Sequence, residues 1–410
     1  MTSTDLYLDQ IRTDILDHLD PSYFEVLFSR SDYYSRSRKT AHPDVRTCLR
    51  ETYEDAPEYR YLLSSAEIVR ERLAIQGYTA DRMSRAWSEA RDMRVEFLKK
   101  LVGSIGGSIA TEAAVLAKIS YAEWQQALAA RERARFEGGP FPHEGFDLEG
   151  VFSQEPLFDV FAALAVRLDA LKPTSVWVDL TELYDAYEFD PSATFHENLE
   201  RSAEPFEADG GKIIILTEGT TDQRIISAAM RAFYPEFADA YQFIDFEAFR
   251  IEGGASPLAR MVKSFASVRM QSRMLAIFDN DAAGAEALMS LRKITLPPNL
   301  RAMCLPDLAM ARSYPTEGPE GLRLMDVNGR ACSIEMFLGR SSLATKGGKF
   351  RPVRWSQWNK AAGRYQGELD DKFDVMKRFL SDLNQTPRKL RCRYPDMCDL
   401  LGSIFGAFKS

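Results

Sequence analysis

Two apolar runs of strand length end in carboxylates, and they constrain this chain more than any other feature. KIIILTEG (212–219) ends in Glu218 and a glycine, with Asp222 four residues on, and MLAIFDND (274–281) ends in Asp279 and Asp281, with Gly284 following. Each run precedes an amphipathic stretch, DQRIISAAMRAFY and AAGAEALMSLRK. Between them lie YQFIDF (241–246), a second strand, and PLARMVKSFASVRM, a helix; LRAMCLP and SIEMFL are read as later strands. Strands alternating with helices at this spacing predict an α/β unit with a parallel sheet and helices on its faces. Loops and helix N-termini converge at the carboxyl ends of such strands, where ligands gather.

The residues before Gly211 read differently. SSAEIVRERLAIQGY, MSRAWSEARDMRVEFLKKLV and SYAEWQQALAARERARF carry apolar residues at three-to-four spacing, with Gly77 and Gly103 as stops, and predict a mainly helical domain over 1–136. Residues 21–60 have no clear period. Between 137 and 209, 17 acids against 3 bases mark an acidic connecting region (137–210) that holds a helix, LFDVFAALAVRLDAL, and a short strand, TSVWVDL. Residues 211–410 form the second half.

Charge follows the same division. Residues 1–210 carry 23 Lys+Arg and 38 Asp+Glu, a net of −15; the rest carry 29 and 22, a net of +7, which sum to the overall −8. A polyanion would therefore dock on the second half despite the acidic total. The five cysteines are scattered without a C-x-x-C pair, which argues for reduced thiols and against structural zinc. No run reaches the ~18 apolar residues a bilayer span needs, and the first residues lack a secretory pattern, so a cytoplasmic protein without a membrane partner is expected.

Glu218, Asp222, Asp279 and Asp281 would repel one another at neutral pH unless a hard cation neutralised them, and oxygen-only ligands suit Mg²⁺ or Mn²⁺. TEGTTD and FDNDAAG resemble the hhhhEGxxD and hhhDxDxxG motifs of the TOPRIM domain. OLD-type TOPRIM nucleases add a Ser-x-Glu and a lysine before a later helix. The resemblance thus implies Ser333 and Glu335 in CSIEMFLG, the latter a further metal ligand, and Lys372 in DDKFDVMKRFL as the charge facing the scissile phosphate. Lys346, Lys349, Lys360 and Lys377 compete for that role. The N-terminal half, around HPDVRTCLRETYEDAPEYRYLLSS, resembles the helical region of HEPN/Toprim-associated proteins of prokaryotic antiphage defence.

These resemblances imply a metal-dependent nuclease on DNA or RNA, tRNA included, with Glu218, Asp279, Asp281 and Lys372 catalytic. The rival is a non-catalytic TOPRIM module that binds nucleic acid or a partner protein. No R-x-x-x-x-H motif marks an active HEPN ribonuclease, and no G-x-x-x-x-G-K-[ST] supplies an ATPase, so an ATPase or sensor would act in trans; a homo-oligomer is a further expectation. From Arg340 to Gln366 there are seven cations and no acid. Lys346, Lys349, Arg351, Arg354 and Lys360 are the candidates for phosphate contact there, with Trp355 and Trp358 for base stacking.

Overall fold

A computed structural model describes residues 4–13, 23–49, 53, 58–105, 113–136, 159–186, 188–202, 211–244, 252–319 and 321–409. Much of the acidic region, 137–158 and 203–210, and the end of YQFIDF lie outside the described residues. No described helix is long and apolar enough to cross a membrane. The fold is mixed α/β, and the chain divides into two compact units at the 210/211 boundary.

Beside its helices the N-terminal unit holds a five-stranded antiparallel sheet of β1 (Leu6–Leu8), β2 (Ile11–Thr13), β3 (Tyr33–Ser37), β4 (Glu58–Ser65) and β5 (Ser175–Asp179), in the order β2-β1-β5-β4-β3. Most of these strands run only three to five residues and leave little local period, and β5 lies more than 100 residues from its partners β1 and β4, so the sheet has no local sequence signal. TSVWVDL, expected in a connecting region, is the central strand β5, with Val178 opposite both Leu6 and Leu62. One sheet face is aliphatic (Leu6, Leu8, Leu62, Val176, Val178) and shares a core with the helices Ala66–Ile75 and Val160–Leu171. The other is aromatic: Tyr7, Tyr59, Tyr61 and Trp177 pack with Val45 and Leu49, and Tyr7 stacks on Trp177 at 3.9 Å. Gly103 is no stop, since the helix Ala80–Ile105 runs through it. One glycine costs a long helix only about 1 kcal/mol.

The second unit is built on a parallel sheet ordered β10-β8-β6-β7, from β6 (Ile213–Leu216), β7 (Tyr241–Phe243), β8 (Met274–Phe278) and β10 (Leu300–Cys304). The helices Thr220–Phe233, Ala255–Ser267 and Ala282–Leu291 follow β6, β7 and β8. Leu216, Ala276 and Phe278 pack with Leu258, Val262 and Leu291 in one core. Beyond Phe278 the chain turns, and β9 (Asn280–Asp281) pairs with β13 (Ala331–Cys332). A second four-stranded sheet, β12-β11-β14-β15, is formed by β11 (Tyr314–Gly318), β12 (Gly321–Met325), β14 (Val353–Asn359) and β15 (Arg364–Leu369). The expected strand SIEMFL is instead a 3₁₀ turn, Ile334–Phe337. Every residue of that turn is buried, so burial explains its apolar run without a pleat, and a short apolar run does not distinguish the two.

Candidate functional site

Parallel pairing of β6 with β8, Leu216 opposite Ala276, carries Glu218 and Asp279 to the same edge of the sheet. Glu218 Oε1 accepts the Asp279 backbone N–H at 2.9 Å. Asp222, in the first turn of the helix Thr220–Phe233, accepts the Gly219 N–H on Oδ2 at 3.1 Å, where the helix dipole favours a negative charge. Asp281 caps the helix Ala282–Leu291, with Oδ1 accepting the Gly284 N–H at 2.7 Å. Gly284 is required there: a Cβ at that position would lie 2.2 Å from the Asp279 carbonyl oxygen. Glu335 is buried in the 3₁₀ turn and accepts the Ser333 hydroxyl at 2.5 Å. Lys372 opens the helix Lys372–Asp382 and pairs with Glu368 at 3.2 Å.

Charge couples these groups. Burial first, then Asp281 and Asp222, push the Glu218 carboxyl up to about 8. Burial and then Glu335 push Asp222 up to about 7. Asp279 is raised well above the carboxylate range by burial and by Asp222, Glu218, Asp281 and Glu335 together. For Lys372, burial favours loss of the proton, but Glu335, Asp279 and Glu368 outweigh it and raise the ammonium's pKa. The structure therefore brings Glu218, Asp222, Asp279, Asp281, Glu335 and Lys372 into one electrostatic neighbourhood. Among the described residues, however, no three His, Cys, Asp or Glu side chains close on an ion as they stand. Four of the five carboxylates have an oxygen held by a local donor, and mutual repulsion keeps uncompensated carboxylates apart. The donor set fits a hard divalent cation in chemistry: it is all oxygen, and the nearby Cys304 thiol is pushed up to about 12, first by burial and then by Asp279, so it stays protonated. A cavity of about 210 Å³ opens among Asp281, Ser333, Gln366, Glu368 and Lys372. It is smaller than the ~300–1,000 Å³ of most ligand clefts, and its charged walls are Asp281 and Glu368 against Lys372.

No family model, curated protein or solved structure matches this chain.

The site contains residues that motif reading missed. Gln366 on β15 donates its amide N–H to Asp281 Oδ2 and accepts the Ala283 N–H at 3.1 Å, bridging a carboxylate and a helix start. Asn280 donates to Asp307 at 2.8 Å and accepts the Gly329 N–H at 2.8 Å, fixing the turn between the two aspartates. The Cys304 thiol donates to the Asp279 carbonyl at 3.0 Å. Gln366 lies 85 residues from Asp281, so no local spacing points to it.

The basic segment separates into two kinds of cation. Arg351, expected to reach phosphate, is buried at 5% exposure: its guanidinium pairs with Asp374 and Asp371 and donates to the carbonyls of Ser342, Leu343 and Ala344. This corrects its assignment, since a guanidinium saturated by five acceptors serves the fold. Arg354 is exposed but paired with Glu317 at 3.2 Å and Asp370 at 3.3 Å. Lys346, Lys349 and Lys360 are exposed and make no ion pair among the described residues. Trp355 is half-buried near Gly318 and Gly367, whereas Trp358 is 51% exposed. Arg351→Met is expected to cost about 2 kcal/mol in urea unfolding, because it removes a buried guanidinium and its bonds to Asp374, Asp371 and three carbonyls, of which Arg378 still reaches Asp374 and the Ala344 carbonyl. The salt dependence of nucleic-acid binding should be unchanged; a shallower slope at wild-type stability would return Arg351 to the phosphate contacts.

Proposed function

We propose that residues 211–408 form a TOPRIM-type phosphodiesterase that cleaves nucleic acid with one or two divalent ions. One observation carries this reading: five carboxylates and one lysine, drawn from separate elements, share a neighbourhood at the carboxyl ends of parallel strands, and burial there raises the carboxyl pKa values of Glu218, Asp222 and Asp279. A fold has no need of such a cluster, because each member destabilises the ionised form of the next. Glu218, Asp222, Asp279 and Glu335 would hold the ion, with Asp281 contributing through lone pairs that its two donors leave unused. A bound Mg²⁺ or Mn²⁺ supplies Lewis-acid polarisation of the phosphoryl oxygen and a more acidic water. Lys372 places a positive charge beside Glu335 and Asp279, where it meets charge developing on the phosphate. Glu368 holds that ammonium at the cavity wall.

The test is incubation of purified protein with plasmid, single-stranded DNA and total tRNA in Mg²⁺ or Mn²⁺, with and without chelator. Chelator-sensitive cleavage of at least one substrate is expected. Intact substrates in every arm would leave the non-catalytic module as the better reading. The proposed role as an effector of prokaryotic antiphage defence rests on the sequence resemblance, and on that role the active chain is toxic to a bacterial host while the Asp279→Asn variant is tolerated.

A further inference from the structure

The strands β14 and β15 form an antiparallel hairpin whose register places Trp358 opposite Tyr365 and Gln357 opposite Gln366. Successive side chains on a strand face opposite ways, so Gln366 and Tyr365 serve different faces. The Gln366 face is fastened: besides holding Asp281, it sits two residues from Arg364, which donates to the Gly329 carbonyl at 2.9 Å. Asn359, opposite Arg364, donates to Glu286 at 2.8 Å on the helix that Asp281 caps. On the other face two large rings lie open: Trp358 is 51% exposed and Tyr365 55%, and they meet edge-on with centroids 5.0 Å apart. A core anchor does not leave half its ring in water, and edge-on packing leaves ring face available for another π-system. The charges near these rings favour an anion, since Lys360 at the hairpin tip, and Lys346 and Lys349 in the preceding turn, are exposed and make no ion pair among the described residues.

We infer that the Trp358–Tyr365 pair is a stacking platform for unpaired nucleobases, so that the substrate class is a single-stranded nucleic acid or a single-stranded segment of one. In a duplex both faces of each base are taken by its neighbours; in a single strand they are open to an aromatic ring, while the lysines follow the phosphates. Tyr365 is the chain neighbour of Gln366, whose amide touches Asp281, so the platform's backbone lies within about 10 Å of that carboxylate. The rings face away from Gln366, so a strand stacked on them brings a phosphate to the acidic cluster by passing round the hairpin. The placement of the cut rests on the phosphodiesterase reading; the stacking does not.

The test measures binding in chelator, where no cleavage occurs, using labelled single-stranded DNA and RNA oligonucleotides of about 20 nucleotides, longer than one stacking site, and a blunt duplex. Trp358→Ala and Tyr365→Ala should each weaken binding of single strands about ten-fold, Trp358→Phe and Tyr365→Phe should retain most of it, and duplex binding should stay within about two-fold throughout. Neither aromatic change should alter the salt slope, whereas Lys360→Glu should reduce it. Both rings are more than half exposed, and wild-type melting temperatures verify that the variants fold. Unchanged single-strand affinity in both alanine variants, or equal losses on single strand and duplex, would overturn the inference. If single strands bind through the rings but are never cut when Mg²⁺ or Mn²⁺ is added, the platform stands and the phosphodiesterase reading falls. Chelator-sensitive cleavage that is indifferent to both rings would overturn the platform and leave the phosphodiesterase reading in place.

Discussion

Asp279→Asn should lower cleavage by about a thousand-fold or more and at the same time stabilise the metal-free protein at pH 8. The first effect follows from loss of a carboxylate that no neighbour can replace, a change worth several kcal/mol in a metal-assisted reaction. The second follows from linkage. Glu218 and Asp222, with carboxyls held up to about 8 and 7, and Asp279, held well above the usual carboxylate range, have folded-state pKa values above the ~4 of an unfolded chain. The folded protein therefore binds more protons than the unfolded one between about pH 4 and 8. Stability is fully present below the unfolded pKa and lost as pH rises through the folded values. Thermal melts in chelator should show the wild-type midpoint falling from pH 5 to pH 8, with a smaller fall for Asp279→Asn. Added Mg²⁺ should raise the wild-type midpoint more at pH 8 than at pH 6, because it favours the ionised form. Cleavage by the variant within ten-fold of wild type would remove Asp279 from the chemistry, and a wild-type midpoint flat across this range would mean the carboxyls do not repel one another.

Lys372→Met is expected to reduce kcat by about a hundred-fold to a thousand-fold and to change KM little, the signature of an interaction made mainly in the transition state. Among the lysines that compete by sequence, Lys346, Lys349, Lys360 and Lys377 are all exposed. Lys372 is the one whose charge is coupled to Glu335, Asp279, Glu218 and Asp222. The same substitution should lower the melting temperature in chelator, since it removes the cation that offsets the acids. Lys360→Met serves as the contrast, raising KM while leaving turnover at saturating substrate near wild type. Equal losses of kcat in the two variants would mean that Lys372 acts only as another surface charge.

What could be read from sequence was what repeats locally. The apolar runs ending in Glu218 and Asp279 mark strand, end and charge within eight residues each, and the parallel sheet they predict is present. The helices Thr220–Phe233 and Ala282–Leu291 likewise follow from their amphipathic spacing. What escaped depends on partners distant in the chain. Ser175–Asp179 reads as an isolated strand until β1 and β4, more than 100 residues earlier, flank it. Gln366 is an ordinary polar residue until the fold brings it to Asp281. Arg351 and Lys349 look alike in a basic run, and only burial against Asp371 and Asp374 separates them. Composition records how many cations a segment has but not which of them the fold has already neutralised.

The position of β5 has a consequence for synthesis and for cutting the chain. A ribosome that has released residues 1–136 has supplied β1 to β4 and two long helices, yet the strand that joins β1 to β4 is still about forty residues away. Until Ser175–Asp179 emerges, the four earlier strands can form only two separate ribbons, β2 with β1 and β4 with β3, each exposing the edge that β5 will fill. Two-stranded ribbons are marginal in water, and open edges recruit other chains. The N-terminal unit is therefore committed to late closure, and a fragment ending at residue 136 should aggregate where one reaching residue 202 stays in solution.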